Sequence, residues 1–149
     1  MIKQLDNVNE NIAEQIFAVF QHAYRIEADL IGVVNFPPLS RSIKDIQGAK
    51  TQFYGFYVDQ IVAAVIEIKL EGQQLNICSL TVAPNYFRRG IADTLISYVL
   101  GLSYFSKALV ETAVVNLPAI KLYEKHGFIE YKRWVPSHGI AKVAMSRIC

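Results

Sequence analysis

Cysteine is scarce: Cys78 and Cys149 are the two present among 149 residues. One sits inside an apolar run and the other at the last position. That usage gives neither the ligand spacing of a zinc site nor the framework of a disulfide-stapled secreted fold, and it fits a reducing, cytoplasmic setting. His22, His126 and His138 add no ligand spacing either, so no metal is expected. Long hydrophobic runs are missing as well. Nothing approaches the roughly 18 consecutive apolar residues of a membrane span, and the opening Met1–Asp6 lacks the apolar core of a signal peptide. No membrane association is expected. Charge of one sign is not in excess: 15 Lys+Arg against 13 Asp+Glu leave a net +2. A chain that coats nucleic acid normally needs a basic surface, and this balance argues against one. A small anionic ligand stays permitted. Neither Gly-x-Gly-x-x-Gly after a strand nor Gly-x-x-x-x-Gly-Lys-Ser/Thr occurs, which disfavours a nicotinamide or ATP domain.

What is present is enough apolar material for a core. Hydrophobic residues make up 52% of the chain, and at this length folding buries roughly 70% of the surface the extended chain exposes. With no repeat or linker, a single domain spanning 1–149 is expected. Residues 1 to 6 read as a short strand. Ile12, Ile16, Phe17, Val19, Phe20 and Tyr24 recur at helical spacing between Asn9 and Tyr24. The pattern weakens from Glu27 to Gln47, where Phe36-Pro37-Pro38 breaks any helix and Leu39, Ile43 and Ile46 point to a short one after it. Strands follow at Thr51–Tyr57, Gln60–Leu70 and Gln74–Val82, the first two joined at Val58-Asp59, as an antiparallel meander. A helix over Arg89–Leu102, a strand over Lys107–Val115 and a helix over Asn116–His126 capped by Gly127 come next. Two last strands lie near Phe128–Trp134 and Ile140–Ser146, so the fold class is α/β with a mixed sheet.

The stretch with chemistry in it is Leu80-Thr81-Val82-Ala83-Pro84-Asn85-Tyr86-Phe87-Arg88-Arg89-Gly90-Ile91-Ala92, a strand running through a basic turn into a helix. The first N–H groups of a helix have no internal partner, and the helix dipole places partial positive charge on them. Gly90 and Ala92 leave that approach open. Arg88 and Arg89 add forked guanidinium donors suited to phosphate oxygens. A solvated arginine pair is the ordinary alternative, but cations are disfavoured at a helix start unless an anion compensates. A diphosphate is the ligand this turn fits.

Phe87-Arg88-Arg89-Gly90-Ile91-Ala92 resembles motif A of the GNAT superfamily of N-acetyltransferases, Gln/Arg-x-x-Gly-x-Gly/Ala, with Phe87 in the first slot. Asn116-Leu117-Pro118-Ala119-Ile120-Lys121-Leu122-Tyr123-Glu124-Lys125-His126-Gly127-Phe128 resembles the family's Asn-x-x-Ala-x-x-x-Tyr helix followed by Gly-Phe. The resemblance implies a mostly antiparallel central sheet of about seven strands with about four helices. Two central strands would splay apart to hold acetyl-CoA. Leu80, Thr81 and Val82 would offer main-chain groups to the pantetheine arm, as to an added strand. The amides of Arg88, Arg89, Gly90, Ile91, Ala92 and Asp93 would take the pyrophosphate, and Asn116, Ala119 and Tyr123 would border the thioester end.

Tyr123 is the implied general acid for the leaving thiolate, since a phenol is still protonated at neutral pH. Core packing next to Ile120 is the alternative. Asn116 also suits the helix N-cap. For the general base, some family members carry Glu in the slot held here by Asn76, which cannot accept a proton. Glu67, expected on the face opposite Val62, Ala64, Ile66 and Ile68, is the candidate. Its alternative is a solvated carboxylate paired with Lys69 or another cation, and a water chain is a third source. Cys78 reads as a small buried apolar residue. Tyr24, Glu27, Asp29 and Phe36, with Glu67, are expected at the acceptor pocket, where an aromatic wall and acidic charge suit a cationic amine. His138 lies in a loop bordering the same side.

The expected function is transfer of an acetyl group from acetyl-CoA to a primary amine, on a small molecule or a peptide, by direct attack. A non-catalytic CoA-binding or regulatory module is the competing reading, kept open by Phe87 and Asn76. The acceptor, and whether two chains pair as a homodimer through their last strands, are not written in the sequence.

Overall fold

Seven strands form one sheet in the computed structural model, which describes residues 1–102 and 105–149. They are Ile2–Leu5 (β1), Gln52–Val58 (β2), Ile61–Glu71 (β3), Gln74–Val82 (β4), Lys107–Ala113 (β5), Ile129–Trp134 (β6) and Lys142–Ile148 (β7). Their order is β1-β2-β3-β4-β5-β7-β6. Neighbours pair antiparallel except β4 and β5, which are parallel. The helices are Glu10–Ile31 (α1), Ile43–Gly48 (α2), Ile91–Leu100 (α3) and Leu117–Lys125 (α4), with single 3-10 turns at Pro37–Ser40 and Pro84–Tyr86. The mixed α/β architecture is the one expected.

Each face of the sheet carries its own apolar layer. On one, Ala13, Ile16, Val19 and Phe20 of α1 pack with Ile46 of α2 against Leu5, Phe53, Val62 and Val65. On the other, Ile91, Leu95, Ile96 and Val99 of α3 and Tyr123 of α4 cover Ala64, Ile66, Ile68, Leu75, Ile77, Val110, Val143 and Met145. β3 is therefore buried on both sides, which is why its first six residues, Ile61 to Ile66, are all apolar.

Two register shifts decide which side chains face where. Opposite Phe56 and Tyr57 the pairing skips Ala63, so Val62 faces α1 with Val65 and does not share the face of Ala64, Ile66 and Ile68 as alternation predicted. Opposite Glu67 and Ile68 the pairing skips Cys78. The bulge turns Cys78 outward, so it is exposed and not the buried apolar residue the sequence implied. Beyond it, Leu80 and Val82 share the face that Leu75 and Ile77 occupied before it. The β2–β3 turn also lies one residue later than Val58-Asp59: Asp59 and Gln60 have φ of 49° and 67°, the left-handed pair that a two-residue hairpin turn requires.

The pairing of β4 with β5 is short. It runs from Gln74 opposite Lys107 to Ile77 opposite Val110 and stops. β4 remains paired to β3 as far as Val82, and β5 remains paired to β7 as far as Ala113. The two central strands thus splay apart at their C-terminal ends. The sheet is open there, and the two faces communicate.

α1 runs past Tyr24, where the sequence ended it, as far as Ile31. Its stop is Gly32, with φ of 83°, whose N–H donates to the carbonyl of Ala28 at 2.8 Å. Space around Gly32 is empty, so a methyl group there meets no atom within 4 Å. Gly32→Ala is expected to cost about 1–2 kcal/mol, the backbone penalty of an L-residue in the left-handed region. Denaturant unfolding of the two proteins measures it, and a stability equal to wild type would contradict this cap geometry.

Candidate functional site

Two cavities meet at the opening between β4 and β5. One, of about 510 Å³, is bordered by Leu80, Thr81 and Val82, the turn Tyr86–Gly90, the first turn of α3, one side of α4, and Ile26 and Leu30 of α1. The other, of about 430 Å³, is bordered by Phe36, Pro37, Pro38 and Arg41, by Ile77–Ser79 of β4, by Val110–Ala113 of β5, and by His138, Ile140 and Lys142. Six residues belong to both: Tyr24 and Glu27 of α1, Leu80 of β4, and Asn116, Ala119 and Tyr123 around α4. α1 and α4 lie on opposite faces of the sheet, and their side chains reach the same space only because the strands have parted.

The turn before α3 is built for an anion. Gly90, φ 72°, is the N-cap and supplies no capping side chain, so the amides of the first turn are left to outside partners. Arg88 also has positive φ, 63°. Arg89 lies over the Tyr86 ring at 5.2 Å, and neither arginine makes an ion pair among the described residues. Asp93, in that first turn, has its carboxylate held by His126 Nε2 at 2.9 Å and Lys125 Nζ at 3.2 Å. These partners, the His126 hydrogen bond first, hold its pKa below the ordinary carboxylate range. The start of α3 is thereby tied to the end of α4. Phe87, 43% exposed, adds an apolar edge to the same cavity.

At the junction, Tyr123 is 5% exposed and packs edge-on against Phe128, with ring centroids 5.7 Å apart. Burial, and then the nearby Tyr24 and Glu27, push its pKa well above that of a free phenol. It is a hydroxyl that stays protonated. Tyr24 behaves alike, raised by burial and by the charges of Glu27 and Glu67. It contacts the Phe36 ring edge-on at 5.9 Å. Glu27 is half-buried and its pKa is raised by desolvation. Asn116 caps α4, accepting from Ala119 N–H at 3.3 Å, while also bordering both cavities.

Residues 49–130 match the family model of the acetyltransferase (GNAT) domain. The chain belongs to the GNAT family. It is 35% identical over 129 residues to the UPF0157 protein YqkA of Bacillus subtilis, covering 86% of this chain and 38% of that protein. The chain spans about two fifths of the length of the curated relatives it matches. The same fold recurs in the PaiA N-acetyltransferase of Thermoplasma acidophilum, solved with coenzyme A. There the TM-score is 0.77 at 14% identity, over 100% of this chain and 99% of that one. The ribosomal-protein-S18-alanine N-acetyltransferase of Escherichia coli has a TM-score of 0.73 at 18% identity, over 99% and 94%. No helix among the described residues is long and apolar enough to cross a membrane.

Of the candidate catalytic, cofactor-contacting and acceptor-contacting residues of this GNAT sequence, the fold gathers all but Asp29 and Glu67 around the two cavities. Asp29 is exposed on α1. The other exception is Glu67. It borders neither cavity and is 3% exposed, with every lone-pair direction occupied. Arg41 donates to Oε1 at 2.7 Å and to Oε2 at 2.9 Å, Thr51 Oγ1 donates to Oε2 at 2.6 Å, and Ser79 Oγ donates to Oε1 at 3.0 Å. Burial alone would raise its pKa, but these hydrogen bonds outweigh it and leave the pKa lowered. A carboxylate held this way is a weak proton acceptor, so the base role expected of it is withdrawn, and so is its place among acceptor-contacting residues. The expected pairing with a cation does hold, but the partner is Arg41 and the carboxylate is buried, while Lys69 pairs with Glu71 at 3.3 Å. Asn76 also borders neither cavity and accepts from Gln74 at 2.9 Å.

Three charged residues at the site, Arg41, Glu111 and Lys142, went unnoticed in the sequence. Arg41 falls in the segment where periodicity fails, and its significance comes from Glu67, which is distant in sequence. Its guanidinium lies 5.7 Å from both the Phe20 and Phe53 rings. Glu111 is the sole carboxylate of the fifth strand and was open to detection on that ground. It borders the smaller cavity, paired with Lys142 at 3.0 Å.

The Glu67–Arg41 pair predicts a pH-dependent stability. The folded carboxyl titrates below its unfolded value of about 4.3, so its contribution is fully present above that pH and is lost as pH falls through the folded pKa. Glu67→Gln is expected to cost about 3 kcal/mol at pH 7, the low end for breaking a buried pair because Arg41 retains some solvent. The difference from wild type should shrink below pH about 4. A pH-independent difference in unfolding free energy would refute it.

Proposed function

We propose that this chain transfers an acetyl group from acetyl-CoA to a primary amine by direct attack, with both substrates bound together. The observation that carries the reading is the meeting of two cavities at an open strand pair, with a protonated buried tyrosine at their junction. The larger cavity takes the coenzyme. The pyrophosphate lies on the amides from Arg88 to Asp93, with Arg88 and Arg89 adding charge. The pantetheine runs along the main chain of Leu80, Thr81 and Val82, where β4 has lost its partner on one side. Asn116 and Ala119 border the thioester, and a β4 amide polarises its carbonyl oxygen. That PaiA was solved with coenzyme A supports the assignment of the ligand.

The acceptor enters from the smaller cavity, past Tyr24, Phe36 and Glu27. Aromatic rings with a carboxylate suit a cation, and a primary ammonium must pass that wall to reach the thioester. Tyr123 hydrogen-bonds the departing sulfur. Because its pKa is raised, it serves as a donor and relay and does not persist as phenolate.

Calorimetry with coenzyme A and a thiol-release assay over a panel of primary amines test this reading. Tyr123→Phe is expected to lower kcat about 100-fold with coenzyme affinity unchanged, the size of one lost proton-transfer group. Wild-type protein that binds coenzyme A yet releases no thiol with any amine would leave a binding module as the function. Replacing Arg88 and Arg89 together by Ala should weaken coenzyme A about tenfold at low salt and less at high salt, since exposed charges are screened. An affinity unchanged at low salt would remove both arginines from the site.

A further inference from the structure

The withdrawal of Glu67 leaves the base role without a side chain, with only a water chain in its place, and the charges around the smaller cavity point to a replacement. Arg41 is neutralised by Glu67, and Glu111 by Lys142. His138 Nδ1 accepts from the Ile140 amide at 3.2 Å. Glu27 makes no ion pair and no hydrogen bond among the described residues. It is also the one carboxylate among the six residues common to both cavities, where the amine must meet the thioester.

From this geometry we infer that Glu27 anchors the ammonium of the acceptor and takes its proton, which rests on the acetyl-transfer reading above. A half-buried carboxylate without a counterion is a vacancy for a cation, and the incoming ammonium fills it. Desolvation has already raised the proton affinity of Glu27, which is the property a base needs. The facing groups act in the same direction. Tyr24 on the same helix and Tyr123 across the opening stay neutral, and the positive charge of Arg41 is cancelled by its partner.

The protons balance. The ammonium gives one proton to the Glu27 carboxylate, and the freed nitrogen lone pair forms the C–N bond as the carbonyl π pair moves to oxygen. When that pair returns, the C–S bond breaks. Sulfur takes the Tyr123 hydroxyl proton as the tyrosine oxygen takes the second nitrogen proton, so no net charge stays on Tyr123. Glu27 then returns its proton to solvent. One ammonium and one thioester yield one amide, one thiol and one proton.

The test compares wild type with Glu27→Gln, using 2-phenylethylamine as acceptor, 2-phenylethanol as its uncharged counterpart, and coenzyme A by calorimetry. Coenzyme affinity is expected to stay within about threefold, because the substitution keeps shape. At pH 7 kcat/KM for the amine should fall about 100-fold. The deficit should then shrink about tenfold per pH unit toward the amine's own pKa near 10, since solvent supplies the free base that Glu27 otherwise makes. Equal pH profiles in the two proteins, or a deficit constant across pH, would overturn the assignment. If wild type binds coenzyme A but releases no thiol with 2-phenylethylamine or any other amine of the panel, the acetyl-transfer reading fails, and the calorimeter still decides the anchor. Amine binding stronger than alcohol binding in wild type and equal to it in Glu27→Gln supports the anchor, and any other binding pattern refutes it.

Discussion

The interaction on which the site depends is one that stops. β4 and β5 pair through Ile77 and Val110 and then diverge, each still held by its outer neighbour. A parallel pair that continued to Val82 would close the sheet and separate α1 from α4. The opening instead leaves one side of the β4 main chain without a strand partner, and buried main-chain groups need partners.

Around the opening, rigidity comes from polar groups that are fully paired. Glu67, with Arg41, Thr51 and Ser79, fastens the loop after the Pro37–Ser40 turn onto β3 and β4 and so fixes one wall of the smaller cavity. Asp93, with His126 and Lys125, fastens the N-terminal end of α3 to the end of α4. Both carboxylates are bound below their ordinary pKa, which suits structure and disqualifies them as bases. Tyr24, Glu27 and Tyr123, whose pKa values are raised chiefly by burial, gather where the cavities join. Burial also raises Cys78, on the wall of the smaller cavity, and Tyr54, which borders neither cavity.

The cradle was legible because its parts are contiguous. Strand, basic turn, Gly90 and helix follow one another in sequence, and local rules about helix termini suffice to read them. The Asn116–Tyr123 spacing was legible for the same reason, lying on one short helix. Glu67 was misread because strand alternation says which face a residue takes and nothing of what waits on that face. Arg41, from a segment without periodicity, was waiting there. Cys78 and Val62 were misread because each β-bulge shifts parity by one, and no local pattern marks a skipped residue.

By itself the sequence determined the order of strands and helices, the basic turn into a helix and the family, since each of these rests on neighbours along the chain and on short-range backbone preferences. Tertiary structure alone decided which carboxylate is spent on an ion pair, which stands without a partner, and where the two faces of the sheet meet. Those outcomes depend on residues dozens of positions apart being brought within bonding distance, and on desolvation, which no single segment can impose on itself.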